Sequence, residues 1–288
     1  MPLRLLLSGL VAMSLLAFAG GPLAGQSTRT RSAPPRLLVP RSLTFDGDQR
    51  APLGRDAQAT PLRMLREIYP GMTDAGEATR MRAVRGLDPQ DQPSEAENES
   101  ADFHGAASGA QIVRVGDSAL LIASGMLVAA RIEPRYRFLD AAFVQTDPGG
   151  LPMIEHAFQG PAGPVALIED SHNNSSESFA MYQLVGIVAG RLKLLDSGIF
   201  LYSYQGQRRG CPSYRVSQSL SRFLLRPNGV LVATVQEDRT CERETRIQQL
   251  GRRLFTIRFV WDGARRAYRR HDQGLGAMNE RIYRQMNE

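Results

Sequence analysis

The sequence predicts a mainly β protein in which an antiparallel meander forms a sandwich or a barrel-like domain over residues 110–288. From about residue 110 onward, short apolar runs alternate with turn residues, which indicates about a dozen strands. Nearly all of these runs are joined by short connections, so neighbouring strands are expected to be antiparallel. Helical runs do not separate them, which argues against a parallel α/β fold.

Turn dipeptides set the expected hairpins. Gly116-Asp117, Asn228-Gly229 and Asp262-Gly263 each lie between two apolar runs. Asn-Gly and Asp-Gly tolerate the positive φ angles of tight hairpin turns, so the second and third of these turns are the clearest. The expected strands cover residues 111–115, 118–123, 126–132, 138–145, 151–156, 164–169, 179–188, 192–195, 199–204, 214–225, 230–236, 254–261 and 264–270.

The expected strand over residues 179–188 is apolar on both of its alternating faces. Met181, Val185 and Ile187 lie on one face, and Tyr182 and Leu184 lie on the other. This pattern is typical of a central strand that is covered on both sides. A helix is the alternative, but Gly186 and the β-branched residues favour a strand.

Two short helices are expected outside the meander. Thr60 suits a helix N-cap, Pro61 suits the first helical position, and Leu62, Leu65 and Tyr69 recur at helical spacing. The sequence therefore predicts an amphipathic helix over residues 60–69. A second short helix is expected over residues 279–286, close to the C-terminus.

The residues before the meander divide into three parts. Residues 1–19 combine Arg4, an apolar run and an Ala17-Phe18-Ala19 cleavage site, which predicts a signal peptide. An uncleaved N-terminal anchor is the alternative, although the run is shorter than the ~20 residues of a typical span. Residues 20–59 form a lead rich in proline and arginine that is expected to be disordered. Residues 60–109 hold the short helix and then an acidic linker.

Composition excludes many enzyme classes. The chain has 35 Lys+Arg, 29 Asp+Glu and a net charge of +6, and Lys193 is its one lysine. A Walker loop is excluded because no glycine-rich stretch precedes Lys193. The sequence also lacks the motifs G-x-S-x-G, H-E-x-x-H, C-x-x-C and G-x-G-x-x-G. Accordingly, no catalytic residue, no metal site and no cofactor is assigned from the sequence.

Cys211 and Cys241 are the two cysteines, and they flank the Asn228-Gly229 hairpin. Export into an oxidising compartment favours a disulfide between them. If Leu225 faces Val230, regular pairing would leave the cysteines about 10 Å apart, which exceeds the separation of about 4.4–6.8 Å between Cα atoms that a disulfide needs. The disulfide therefore requires a bulge or an end to regular pairing before the cysteines.

Residues 170–178 form the most polar segment of the meander and are expected to be a loop between two apolar strands. Polar loops held by a rigid scaffold often carry function, so this loop is a candidate ligand site. A calcium-binding EF-hand is rejected because Ser175 and Met181 occupy the positions of its glycine and bidentate glutamate. A connection that caps its own backbone is the alternative. The candidate ligand-binding residues are Asp170, His172, Asn174 and Glu177.

Arginines concentrate near the C-terminus, and four of them follow the Asp262-Gly263 turn. Arg265, Arg266, Arg269 and Arg270 surround Tyr268, and guanidinium groups beside an aromatic ring suit phosphate or carboxylate ligands. These four residues are the candidate anion-binding site. A solvated face is the alternative, because arginine replaces lysine throughout the chain. In an exported protein the partners would be anionic envelope polymers or lipid head groups rather than nucleic acid.

The sequence thus predicts an exported, periplasmic or secreted protein that binds or interacts rather than catalyses. Its mature chain is expected to contain no transmembrane span. The alternative function is an exported hydrolase or metal-dependent enzyme that uses the 170–178 segment. A hydrogen bond between Asp170 or His172 and Glu155 or His156 inside a deep pocket would favour that alternative.

Overall fold

The computed structural model describes residues 36–43, 50–73, 78, 80–87, 110–144, 152–173, 177–243 and 246–287. The predicted signal peptide and most of the acidic linker lie outside these residues. The described residues form fourteen strands and two helices. In chain order these elements are β1 Arg41–Ser42, α1 Pro61–Ile68, β2 Arg85–Gly86, β3 Gln111–Val115, β4 Ser118–Ala123, β5 Met126–Arg131, β6 Arg137–Phe143, β7 Met153–Gln159, β8 Pro164–Asn173, β9 Glu177–Val188, β10 Arg191–Arg208, β11 Cys211–Leu225, β12 Leu231–Arg243, β13 Arg246–Asp262, β14 Ala267–Asp272 and α2 Leu275–Asn287.

The strands form two sheets that pack in a sandwich-like arrangement, which confirms the predicted mainly β fold. The first sheet has six strands in the order β1-β3-β4-β5-β6-β2, and the second has eight in the order β14 to β7 without a crossover. Pairing is antiparallel except between β2 and β6. Because each strand of the larger sheet pairs with its sequence neighbours, that sheet is the meander that the short connections predict.

The six-stranded sheet is buried on both faces. Thr60 caps α1 by accepting a hydrogen bond from the Arg63 amide at 3.2 Å, as predicted, and Pro61 occupies the first turn. Helix α1 packs Met64, Leu65 and other apolar residues against one face of this sheet. The other face packs against β7 to β10 of the larger sheet, where apolar side chains of both sheets share one core.

Asp140 links the two sheets through a hydrogen-bonded bridge. Its Oδ2 accepts from Arg85 Nη2 at 2.6 Å and from the Leu192 amide at 2.8 Å. Arg85 Nη2 also donates to the Leu192 carbonyl at 2.7 Å. These hydrogen bonds join β2 and β6 of the first sheet to the start of β10 in the second sheet.

The eight-stranded sheet curls, so its two halves face one another across a shared core. This core contains residues from all eight strands, including Phe158 of β7 and Phe223 of β11. The rings of His156 and Phe223 stack with their centroids 6.1 Å apart, although β7 and β11 are not neighbours in the sheet. At the opposite end, Lys193 Nζ donates to the carbonyl oxygens of Arg265 and Arg266 at 2.9 and 3.3 Å.

Strand β9 confirms the prediction of a central strand that is covered twice. It lies between β8 and β10 in the sheet. Val185 and Ile187 pack into the core between the two sheets. Tyr182, Leu184 and Val188 pack into the core inside the curl. Strands β7 to β10 therefore separate two hydrophobic cores.

The hairpin at Asn228-Gly229 differs from the predicted register by one residue. Leu225 pairs with Leu231 rather than with Val230. The Gly229 amide donates to the Arg226 carbonyl and the Arg226 amide donates to the Val230 carbonyl, both at 2.9 Å. Gly229 has a φ of 77°, so it supplies the left-handed residue that follows a turn in a longer hairpin loop.

The predicted disulfide between Cys211 and Cys241 is present, with a Cα–Cα separation of 5.7 Å. The sequence required either a bulge or an end to regular pairing, and the end of regular pairing before Cys211 is what allows the bond. The register of β11 against β12 shifts between Leu220 and Arg222, and recorded pairing ends at Ser213 and Glu242. Cys211 instead pairs with Arg208 on β10. Because Cys211 lies beyond the regular ladder, it can approach Cys241 to within bonding distance.

Part of the segment over residues 20–59, for which the sequence predicts a disordered lead, packs against the strands in the residues that the structure describes. The described residues from 36 onward form a single compact unit. The Leu38 amide donates to the Ala157 carbonyl at 2.7 Å, β1 pairs with β3, and Leu43 and Ala59 are buried beside α1. Sparse apolar residues concealed this packing, because Leu43 and Ala59 follow no regular period. Helix α1 likewise belongs to the folded unit rather than to a separate linker.

We expect a chain that begins at Arg36 to be more stable than one that begins at Arg50. The shorter chain loses β1 and the buried Leu43 side chain, and removal of a large core side chain costs about 2–5 kcal/mol. The melting temperature, measured by circular dichroism, should fall by several degrees between the two truncations. Equal melting temperatures would show that β1 adds nothing to the folded unit.

We expect the free energy of unfolding of the double variant Cys211→Ser/Cys241→Ser to be about 3–4 kcal/mol lower than that of the oxidised wild type. The reason is that the disulfide joins residues 30 positions apart and so restricts the unfolded chain. Urea unfolding of the oxidised wild type and of the double variant measures the difference. Addition of a reductant provides the control, since it should destabilise the wild type and leave the double variant unchanged. A reductant-insensitive wild type would contradict this expectation.

Candidate functional site

Helix α2 lies across the concave side of the curled sheet. Its residues Leu275, Met278 and Ile282 are buried in the core inside the curl. Asp272 fixes the start of the helix, because its Oδ1 accepts from the Leu275 amide at 2.8 Å and its Oδ2 accepts from the Gly276 amide at 2.6 Å. The helix therefore begins four residues before the predicted start at 279.

A cavity of about 390 Å³ lies beside α2 and is lined by four arginines. Arg208 ends β10, Arg239 lies in β12, Arg253 lies in β13 and Arg281 lies in α2. We call this space the arginine cavity. Its remaining lining residues are Tyr204, Gln207, Tyr214, Val216, Met278 and Ile282. Guanidinium groups from four separate elements thus meet at one place.

Arg239 is held in the arginine cavity by a buried hydrogen-bonded chain. Its guanidinium group donates to Glu237 Oε1 at 2.8 Å, and Glu237 is fully buried. Gln218 Nε2 donates to Glu237 Oε2 at 3.2 Å, and Gln218 Oε1 accepts from the Tyr202 amide at 3.0 Å. A buried carboxylate is tolerated only when it is paired and hydrogen-bonded, so this chain fixes the position of both charges.

The other three arginines of the cavity have weaker attachments. The Arg208 guanidinium carbon lies 5.4 Å from the centroid of the Tyr214 ring, and Arg281 Nε donates to the Ala277 carbonyl at 3.2 Å. None of the three forms an ion pair with another described residue. Carboxylates are also absent from the described lining residues. The cavity is therefore positively charged.

The lining of the arginine cavity suits a phosphate or carboxylate group. Guanidinium groups bind these anions in a bidentate manner and remain charged at every physiological pH. The two tyrosine rings and the Val216, Met278 and Ile282 side chains provide apolar surface next to the charges. The cavity thus offers hydrogen-bond donors and positive charge for an anion, with room for an organic group attached to it.

The hairpin that holds the predicted anion-binding residues has a different turn from the one expected. Asp262 pairs with Ala267, so Arg265 and Arg266 lie in a four-residue turn rather than on alternating faces of a strand. Asp262 Oδ1 accepts from the Ala264 and Arg265 amides at 3.1 and 3.2 Å, which closes the turn. The hydrogen bond from the Arg265 amide is the main reason that the pKa of Asp262 is lowered.

Three of the four hairpin arginines lie beside a carboxylate. Arg265 and Arg269 each approach Asp262 Oδ2, at 3.8 and 3.4 Å. Arg270 points the other way, where it donates to the Gly198 carbonyl and lies 4.0 Å from Asp196. The structure therefore does not bring these four guanidinium groups together around one space.

Within the predicted loop over residues 170–178, residues 170–173 extend β8 and residues 177–178 begin β9. Asp170 pairs with Met181 and His172 pairs with Phe179 in the regular ladder. Asp170 is 2 % exposed, and the ring of His172 stacks on that of Phe179 with centroids 5.2 Å apart. Asn174 and the side chain of Glu177 lie outside the described residues. Polar residues continue the strands here, so the apolar pattern could not reveal them.

Glu169 lies in a cluster of acidic groups near the same hairpin. Burial is the main reason that its pKa is raised, and the charges of Glu155 and Asp170 raise it further. Tyr182, which hydrogen-bonds to the Glu169 carboxylate, has its own pKa raised chiefly by burial. His156 Nε2 lies 3.8 Å from Glu155 Oε1. A hydrogen bond between Asp170 or His172 and Glu155 or His156 would favour a hydrolase. The described contacts contain no such bond.

We expect Glu169→Gln to raise the melting temperature near pH 7. A raised pKa in the folded state means that folding disfavours the ionised carboxylate of Glu169. The resulting loss of stability is therefore full above the folded-state pKa and absent below the unfolded-state pKa of ~4.3. Melting curves from pH 3 to 8 should therefore diverge as the pH rises. Glu242→Gln, which removes an exposed carboxylate from β12, is the control. A variant that is less stable than the wild type at pH 7 would contradict this prediction.

The described residues contain no group of three or more histidine, cysteine, aspartate or glutamate side chains placed to hold a metal ion. None of the described helices is long and apolar enough to cross a membrane. Comparison with protein-family models, characterised proteins and solved structures finds no match to this chain. The arginine cavity therefore rests on geometry alone as the candidate site.

Sequence reasoning missed the arginine cavity, although one signal for it is visible. Leu231, Ala233 and Val235 are the inward residues of β12, and the same alternation continues to Glu237 and Arg239. Charged residues at inward positions of a strand indicate a buried polar network or a site. Arg208, Arg253 and Arg281 lie far apart in the sequence, and only the curl of the sheet brings them together.

Proposed function

We propose that this chain is an exported, non-catalytic binding protein whose ligand places a phosphate or carboxylate group in the arginine cavity. One observation carries the proposal: four guanidinium groups from four elements line one cavity, and a buried carboxylate orients one of them. Groups at separate places in a sequence converge in this way at ligand sites, where a few polar groups fix the orientation of the ligand.

Electrostatics supports an anionic ligand. Four like charges around one cavity repel one another, and Glu237 compensates only one of them. An anion in the cavity would remove this repulsion and would gain charge-assisted hydrogen bonds. Repulsion is weaker among the hairpin arginines, because Arg265 and Arg269 approach Asp262 and Arg270 approaches Asp196.

The size of the arginine cavity supports a small organic anion rather than a bare ion. Its volume of about 390 Å³ lies within the ~300–1,000 Å³ range of small-molecule sites. Tyr204 and Tyr214 provide rings beside the charged groups. The proposed ligand is therefore an anionic group that carries an apolar or ring-shaped portion.

Export is part of the proposal because two features support it. The first is the predicted signal peptide over residues 1–19. The second is the disulfide between Cys211 and Cys241, since such bonds persist in oxidising compartments. An exported protein meets the anionic polymers and lipid head groups of the cell envelope, which carry phosphate and carboxylate groups. The alternative function, a hydrolase or metal-dependent enzyme at residues 170–178, has no supporting contact among the described residues.

We expect Arg253→Gln/Arg281→Gln to weaken binding of citrate and of glucose 6-phosphate at least about tenfold at low salt. A hydrogen bond to a charged group contributes about 1.5–3 kcal/mol, and each 1.4 kcal/mol corresponds to a factor of about ten in affinity. Titration calorimetry at about 20 mM salt measures the change. Wild-type binding should also weaken as salt rises, because the screening length falls from about 10 Å at 0.1 M to about 3 Å at 1 M.

The matched control is Arg265→Gln/Arg269→Gln, which removes the same net charge but from the β13–β14 hairpin. This control should retain wild-type affinity if the cavity binds the anion. Equal losses in both double variants would show that only the overall charge of the protein matters. Loss in the control alone would transfer the site to the hairpin that the sequence first suggested.

A further inference from the structure

A second space, which we call the aromatic groove, lies on the opposite flank of α2. It has a volume of about 290 Å³, and its walls include Phe200 and Tyr202 of β10 and Tyr283 of α2. Phe200 is 42 % exposed and Tyr283 is 59 % exposed. Exposed aromatic rings that gather around one concave surface indicate a contact site rather than an ordinary surface.

Asn279 provides a hydrogen-bond acceptor for a ligand in the aromatic groove. Its Nδ2 donates to the Phe200 carbonyl at 2.7 Å, which fixes the orientation of the amide. Its Oδ1 is buried and has no hydrogen-bond partner among the described residues. Buried polar atoms are nearly always paired in native proteins, so this oxygen is suited to receive a donor from a bound molecule.

The charge of the aromatic groove differs from that of the arginine cavity. Asp272, Glu280 and Arg270 line the groove, so its two carboxylates outnumber its one guanidinium group. An anionic group is therefore disfavoured here. A neutral ring that bears hydroxyl donors fits better, because its C–H face can pack on the aromatic side chains while a hydroxyl group donates to Asn279 Oδ1.

We propose that the ligand is an acidic oligosaccharide, whose charged group occupies the arginine cavity and whose adjacent sugar ring occupies the aromatic groove. This inference rests on the proposed function for its charged half. The two spaces flank a single helix, since Met278 and Arg281 line the cavity while Asn279 and Tyr283 line the groove. A helix with its side chains is about 10–12 Å across, so a few linked sugars span the distance.

If one oligosaccharide occupies both spaces, the affinity of each space for its own part of the ligand can be low. Once the charged group is bound, the linked ring meets the groove at a high effective concentration, which increases overall affinity without any new contact. A free anion and a neutral sugar should each bind more weakly than the linked molecule. This difference separates an acidic oligosaccharide from a simple anion.

The experiment compares a hyaluronan hexasaccharide, in which glucuronic acid alternates with neutral N-acetylglucosamine, with its fully methyl-esterified form, because the two hexamers share one sugar chain and differ in charge. Titration calorimetry measures the affinity of both for the wild type, for Arg253→Gln/Arg281→Gln and for Asn279→Ala/Tyr283→Ala. Circular dichroism confirms that each variant is folded, and the single variant Tyr283→Leu replaces the second double variant if that one unfolds. The wild type should bind the acid at least tenfold more tightly than the ester.

The groove variant should lose at least fivefold in affinity for the acidic hexamer while its affinity for citrate is unchanged. The arginine variant should bind the acid and the ester equally weakly. Unchanged binding of the acidic hexamer by the groove variant would overturn the saccharide inference and leave the proposed function intact. Unchanged binding of both hexamers and of citrate by the arginine variant would overturn the proposed function itself. Binding to anionic phospholipid vesicles without binding to the hexamer would likewise overturn the saccharide inference.

Discussion

The curl of the eight-stranded sheet is the constraint on which the remaining structure depends. Strands β7 to β10 are apolar on both faces, so one face needs the six-stranded sheet and the other needs β11 to β14 of the same sheet. Each half of the larger sheet thereby covers the other, and burial of apolar surface is the main favourable contribution to folding. The opening that the curl leaves on its concave side is occupied by α2. Both candidate ligand spaces lie beside this helix, so their shape follows from the same curvature.

Charged residues inside the curl come with structural support. Glu237 lies where alternation places an apolar side chain, and burial of a lone carboxylate would be strongly unfavourable. Arg239 and Gln218 both hydrogen-bond to it, and a backbone amide satisfies Gln218 in turn. A well-packed apolar pair would often stabilise a core equally well. The network fixes the position of the Arg239 guanidinium group.

The sequence predicts which segments form strands but not how far they extend. The two strands predicted over residues 192–195 and 199–204 are one strand, β10, and the strands β10, β11 and β13 run for 18, 15 and 17 residues, which is longer than the sequence predicts. Their extensions are polar, and hydrophobic alternation signals a strand only where one face is buried. The same reason hid the strand character of Asp170 and His172. Neither the curl nor the meeting of Arg208, Arg239, Arg253 and Arg281 follows from a linear pattern, because sheet twist and long-range contacts determine them.

The position of Lys193 has a practical consequence for chemical labelling. It is the one lysine in the chain, and its ammonium group donates to two backbone carbonyls of the β13–β14 turn. An amine-reactive acyl reagent requires the neutral amine, and acylation would remove the charge and two of the three donors. Side-chain acylation by such a reagent is therefore confined to a single position, which joins the start of β10 to the far hairpin. The rate of that reaction reports how often the two ends of the curled sheet separate.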